Sequence, residues 1–309
     1  MRSDSVVADG ITIKEDDMQS VSLSFRNSLL ILATMSLLAG TGFAQSAVPP
    51  AGKKTSASKK TTPAPPPLQL EAKALDILKA TSDKLAAAHT LSFTAVELFE
   101  QLTRQDVPLG YTAKYEVTLQ RPDKLRVLKP ADGNATSFYY DGKSMMGYSP
   151  AENLLAVADA PATIDATMEK ASELAAIYFP FDDVIVANPY GDLAPGLKHA
   201  YYVGQSRVVG GTTTDIVAYA GDGVFVQLWV GAEDKLPRLM RAIFLDDPDR
   251  MRHELAFTDW RLDEALPADT FSPPAAASTA KHIPFAAAHP ELPAGAKAPA
   301  KAQPAKAKQ

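Results

Sequence analysis

The chain has 309 residues, 46% of them hydrophobic, which is enough for a sizeable core in one or two domains. Charged residues make up 22% and the formal net charge is −5, which excludes nucleic-acid binding by bulk charge. There are no cysteines and only five histidines, which excludes disulfide frameworks, thiol catalysis, iron–sulfur clusters and lipidation at a cysteine.

The most apolar run, Leu29 to Leu38, comes first. A membrane-spanning helix needs about 20 residues, and this run is about half that. Arg26 precedes it, and Gly42 and Ala44 supply a small-x-small exit. These are the parts of a secretory signal peptide, with cleavage expected after Ala44. An uncleaved anchor is the alternative. The acids Asp4, Asp9, Glu15, Asp16 and Asp17 suit no signal n-region, so Met18 is an alternative start. Export of a cysteine-free chain suits a bacterial periplasm.

Residues 45–67 carry six prolines, four lysines and no acid, and read as a disordered Pro/Lys-rich linker. Residues 273–309, with five lysines and one glutamate, read as a disordered Ala/Pro/Lys tail. The body between, 68–272, holds 19 basic and 30 acidic residues, a net of −11. An acidic body with two basic flanks is the charge plan. The flanks are either solvated linkers or contacts to an envelope protein or an anionic surface.

Within the body, Leu75, Leu78, Leu85 and Ala88 fall at helical spacing and predict a helix over 71–88. Strands follow. Leu91 to Thr103 is apolar on both parities, and Tyr111, Ala113, Tyr115, Val117 and Leu119 alternate with polar residues. Further strands are expected at 124–129, 137–140, 143–148 and 154–158, with Asp141-Gly142 as a hairpin turn. A second helix is expected over 163–178, stopped by Pro180. Phe181 to Ala187 reads equally as a short helix or a strand. Sheet resumes at 199–203, 205–209, 212–220, 224–230, 236–245 and 251–260. The order is helix, meander, helical insert, meander. An antiparallel sheet of ten or more strands curls or closes.

No nucleophile elbow, zincin, Walker or dinucleotide-binding motif occurs in the body. Asp182-Asp183 and the acids at 246–249 sit at turn-like places where carboxylates usually cap. No catalytic residue, metal site or cofactor is expected. What stands out is the paired aromatics and methionines on strands, whose neighbours point to opposite faces. They fit an adaptable apolar pocket and an ordinary core equally well.

Arg121 to Val127 (RPDKLRV) and Phe138 to Met145 (FYYDGKSM) resemble a family of periplasmic proteins, domain-of-unknown-function family 2092. The resemblance continues through Pro161 to Asp165, Tyr202 to Gly204, Gln227 to Val230, Leu236 to Arg238, Thr258 to Trp260 and Phe271 to Pro274. It departs at Gly211 to Asp215, where the family pattern carries a cysteine and histidines. The family in turn resembles the LolA/LolB-like lipoprotein-carrier superfamily. That implies an α+β, mainly antiparallel β fold: a curled half-barrel sheet with helices covering its concave face. It also implies a non-enzymatic periplasmic protein that binds a hydrophobic small molecule, a lipid or a lipoprotein acyl chain. Tyr111, Tyr115, Phe138, Tyr140, Met146, Phe225 and Trp229 are the expected lining of the cavity. The alternative is an envelope scaffold or adaptor with a fully packed body.

Overall fold

Hairpins dominate the chain because short polar turns separate runs of alternating burial. In Val224–Gly231, Val224, Val226, Leu228 and Val230 are buried, whereas Phe225, Gln227 and Trp229 are half-buried. That alternation gives each strand one core face and one outer face. The computed structural model describes residues 69–130 and 135–286. The expected signal peptide (1–44) and linker (45–67) lie outside the described residues.

The elements, in chain order, begin with β1 (Gln69–Leu70), α1 (Ala72–Ala87), β2 (Thr90–Leu102), β3 (Pro108–Gln120) and β4 (Lys124–Lys129). Next come β5 (Thr136–Tyr140), β6 (Ser144–Ser149), β7 (Leu154–Asp159), α2 (Ile164–Ala175) and the short turns α3 (Asp182–Ile185) and α4 (Pro189–Leu193). The second meander is β8 (Leu197–Ser206), β9 (Thr214–Gly221), β10 (Val224–Gly231), β11 (Pro237–Phe244) and β12 (Arg252–Leu262), and β13 (Lys281–Ile283) ends the described chain.

The thirteen strands among the described residues belong to one sheet, ordered β1-β8-β9-β10-β11-β12-β2-β3-β4-β5-β6-β7-β13. The two meanders join where β12 pairs antiparallel with β2. The sheet is mainly antiparallel, open and curled. Its two ends are the short parallel strands β1, against β8, and β13, against β7. Short edge strands limit the exposed ladder that another chain could extend.

The helices pack on one face of this sheet. Glu71 starts α1 and ties it to β8: its N–H donates to the Ala200 carbonyl at 2.9 Å, and its Oε2 accepts from the Tyr202 N–H at 2.9 Å. Thr163 caps α2, its hydroxyl accepting from the Ala166 N–H at 3.3 Å. Ala176, left-handed at φ 50°, ends α2: its N–H donates to the Ser172 carbonyl at 2.9 Å, and the Ile177 N–H donates to that of Ala171 at 3.3 Å. The helix therefore stops before Pro180 is reached. This early stop frees the Phe179-Pro180-Phe181 segment to turn two rings onto the sheet. Phe181 meets Phe93 at 5.6 Å and Tyr115 at 5.4 Å between centroids, and Phe179 meets Phe138 at 5.2 Å.

Arg121 locks the helical layer to the sheet. Its guanidinium donates to the carbonyls of Ile185 at 3.0 Å, Val186 at 3.1 Å and Leu85 at 3.4 Å. It thereby satisfies carbonyls at the ends of both α1 and α3, which their helices leave unpaired.

Other segments refine the sequence reading. The segments expected at 199–203 and 205–209 merge into one strand, β8, which ends at Ser206 and has a register shift between Tyr202 and Gly204. A bulge absorbs the irregularity that reads as a break. Residues 182–185 of the ambiguous stretch are helical. The expected tail boundary after Ser272 falls short of the ordered structure. A 3₁₀ turn at Ala275–Thr279 places Ala277 and Ala280 against Tyr148 and Leu155, and β13 then pairs with β7. Composition hid this because alanines and one short strand carry the contact.

Candidate ligand cavity

The core face of the β2–β7 meander is filled. Tyr140 is fully buried and its hydroxyl donates to the Pro161 carbonyl at 2.6 Å. Phe138 and Tyr115 stand under Phe179 and Phe181. The space that a curled sheet leaves there is occupied by side chains.

The other meander is different. A cavity of about 290 Å³ lies between β9–β11 below and α1, α3 and α4 above. Its floor is Val224, Val226 and Leu228 of β10 with Met240 of β11. Its roof includes Leu78 and Leu85 of α1 and Leu193 of α4. At about 30 Å³ per water-sized group, it has room for about ten such groups. The floor is apolar because β10 directs Val224, Val226 and Leu228 inward at alternate positions.

Polar side chains share the lining with the apolar ones. Ser82 Oγ accepts from the Tyr190 N–H at 2.9 Å and so holds α4 against α1. Asn188 starts α4 by accepting from the Gly191 N–H at 3.0 Å. Thr81 is buried and its hydroxyl has no partner. Tyr219 of β9 lies on the core face opposite Val226. Burial, and the negative charge of Asp183, push its phenol above the ordinary tyrosine range, so it stays protonated. Asp183, Asp192 and Asp222 also border the space, and no Lys, Arg or His is among the described residues that line it.

None of the seven residues expected to line a cavity borders this one. Tyr115, Phe138 and Tyr140 do lie on the helix-bearing face, but in the packed half. Tyr111 shares that face and stacks on Phe99 at 5.7 Å. Met146 is on the outer face, beside the Tyr148–Leu155 cluster, because its neighbour Met145 takes the core position. Phe225 and Trp229 are also on the outer face, displaced by the inward valines of β10. This cavity is lined instead by Leu and Val side chains, which read as ordinary core, together with Tyr190, Tyr219, Met240 and polar residues. One signal was available. Thr81 interrupts the apolar stripe of α1 between Leu78 and Leu85, at helical spacing from both.

A family model described as a predicted periplasmic protein, DUF2092, matches residues 74–286. The chain belongs to that family. No curated protein matches it in sequence. Among solved structures it is similar to LprF from Mycobacterium bovis, with 15% identity over 64% of this chain and 97% of that one, at a TM-score of 0.40. It is also similar to the MucA/MucB complex of Pseudomonas aeruginosa, with 18% identity over 66% of this chain and 62% of that one, at a TM-score of 0.39. A LolA superfamily protein from Nitrosomonas europaea shares 12% identity over 65% of this chain and 97% of that one, at a TM-score of 0.31. Among the described residues no helix is long and apolar enough to cross a membrane.

Proposed function

We propose that this DUF2092 chain is an exported, non-enzymatic binding protein that holds one hydrophobic chain in the cavity beneath α1 and α4. The curled sheet serves as a half-barrel with the helices on its concave side. The single observation that carries this reading is the largely apolar space of about 290 Å³ left between helices and sheet. Protein interiors are close-packed, and spaces of this size are few in a domain. Burial of a chain supplies about 0.8 kcal/mol per methylene. About ten methylenes would supply roughly 8 kcal/mol before the entropic cost of association. The Tyr190 N–H, donating to Ser82 Oγ, ties α4 to α1 beside this space, a contact worth about 1 kcal/mol net.

The test is native mass spectrometry of the full chain exported to a bacterial periplasm, before and after solvent extraction. The expected result is an apolar adduct that extraction removes. Val226→Phe places a ring in the space and should abolish the adduct while leaving the thermal midpoint unchanged or higher. Clean protein that also takes up no decanol would overturn the reading. It would favour a packed envelope scaffold that works through its surface.

A further inference from the structure

The two ends of the cavity differ, and the difference sets the length of what it holds. This step rests on the reading of the cavity as a binding site. Its floor runs along β10 from Val224 to Leu228, which at the rise of a strand is about 14 Å. At the Val224 end the lining includes Asp222, exposed in the turn between β9 and β10, with Gly196 half-buried beside it. The space meets solvent there. At the Leu228 end stand Met240, paired with Leu228 across β10 and β11, and Pro237. Leu85 of α1 and Val184 of α3 cover them from the helical layer. None of Leu85, Val184, Leu228 and Met240 is more than 7% exposed.

Behind that end lies the aromatic half of the core. Trp260 donates from its indole N–H to the Pro237 carbonyl at 2.8 Å and meets Phe93 at 4.6 Å between centroids. Phe93 in turn packs on Phe181, whose carbonyl accepts from the Val184 N–H at 3.0 Å. Packed rings resist the insertion of extra carbons, so this end is a stop. Volume and length then agree. A space of about 290 Å³ holds about ten methylene-sized groups. An extended chain advances about 3.5 Å per three bonds, so about 14 Å takes about twelve carbons. We infer that the cavity is a blind slot that selects by chain length: it takes one unbranched chain of about ten to twelve carbons, with Leu228 and Met240 at its stop. A longer chain gains nothing further, because its extra carbons stay in water at the Gly196–Asp222 end.

Isothermal titration of the full chain with hexanol, octanol, decanol, dodecanol and tetradecanol tests this. Each pair of added carbons should tighten binding about tenfold as far as decanol or dodecanol. Tetradecanol should then bind within about twofold of dodecanol. Leu228→Ala removes Cγ and both Cδ atoms from the stop and should move the break outward by about two carbons. Leu228→Val is the milder truncation, for use if alanine unfolds the protein, and should raise the affinity for tetradecanol relative to dodecanol severalfold. Wild-type affinity that keeps rising at the same slope through tetradecanol would overturn the closed end while leaving the cavity a binding site. A break that stays where it was in the folded Leu228 variants would overturn Leu228 as the stop. Failure of every alcohol to bind would instead remove the underlying reading.

Discussion

Glu97 shows how a strand's parity can strand a charge. It lies on β2 opposite Ala113 and Leu255, on the same face as Phe93 and Ala95, and is 6% exposed. The Tyr115 hydroxyl donates to its Oε2 at 3.1 Å. Burial raises the pKa of the carboxyl, and the hydrogen bond from Tyr115 and the charge of Lys129 oppose the shift without cancelling it. Because the folded pKa lies above the unfolded one, the native state binds the proton more tightly. The stabilisation from this group is thus complete below the unfolded value of about 4.3 and is lost as pH rises through the folded pKa. Other carboxyls slope the opposite way: Arg252 holds Glu100 below its ordinary range. The informative quantity is therefore the difference between wild type and Glu97→Gln. Urea midpoints measured from about pH 4 to about pH 8 should show the variant gaining on wild type as pH rises. Parallel profiles would mean that Glu97 titrates like an exposed carboxylate.

At the scale of elements, the insert between the meanders decides which half of the core is filled. Its periodicity identified α2, and the residues that matter most follow it. Phe181 is fully buried and touches Phe93, Tyr115 and Phe179. The stretch around it was ambiguous in sequence because a short apolar run fits a buried helix turn and a strand equally. Arg121, within the RPDKLRV motif, then fixes α3 and α1 through three carbonyls, a role that no periodicity reveals. With the rings of Phe179 and Phe181 as its anchor, the insert should be unforgiving of truncation. Phe181→Ala is expected to cost about 3–5 kcal/mol, the usual range for a buried phenylalanine. Equilibrium urea unfolding with an unchanged slope would measure it. A loss below about 1 kcal/mol would show that neighbouring rings collapse into the gap, and would place less weight on the insert.

Across the whole molecule, the hairpin order and the antiparallel character were legible because alternation and turn residues are local signals. The family was legible from motifs spread along the body. What was not legible is where the two meanders meet, which face each strand presents, and where the domain ends, since each depends on pairing over long separations. Trp229 and Val226 are indistinguishable in kind until β10 has neighbours, and only then does one face the cavity and the other the outside. The end of the domain is the sharpest case. β13 is three residues long, yet it covers the open edge of β7, with the Lys281 N–H donating to the Asn153 carbonyl at 2.8 Å. Just beyond, Phe285 is buried against the main core, so the segment grips both faces of the sheet edge. An uncovered edge of a large sheet is a template for another chain. Lys281→Pro removes that donor, and Ala280 already has the extended backbone that a following proline requires. Combined with Phe285→Ala, it should release β13. The urea midpoint should fall, and size-exclusion chromatography should show concentration-dependent association that wild type lacks. Elution unchanged at high concentration would mean that β7 is protected without β13, and that its edge is already too short or too twisted to recruit a partner.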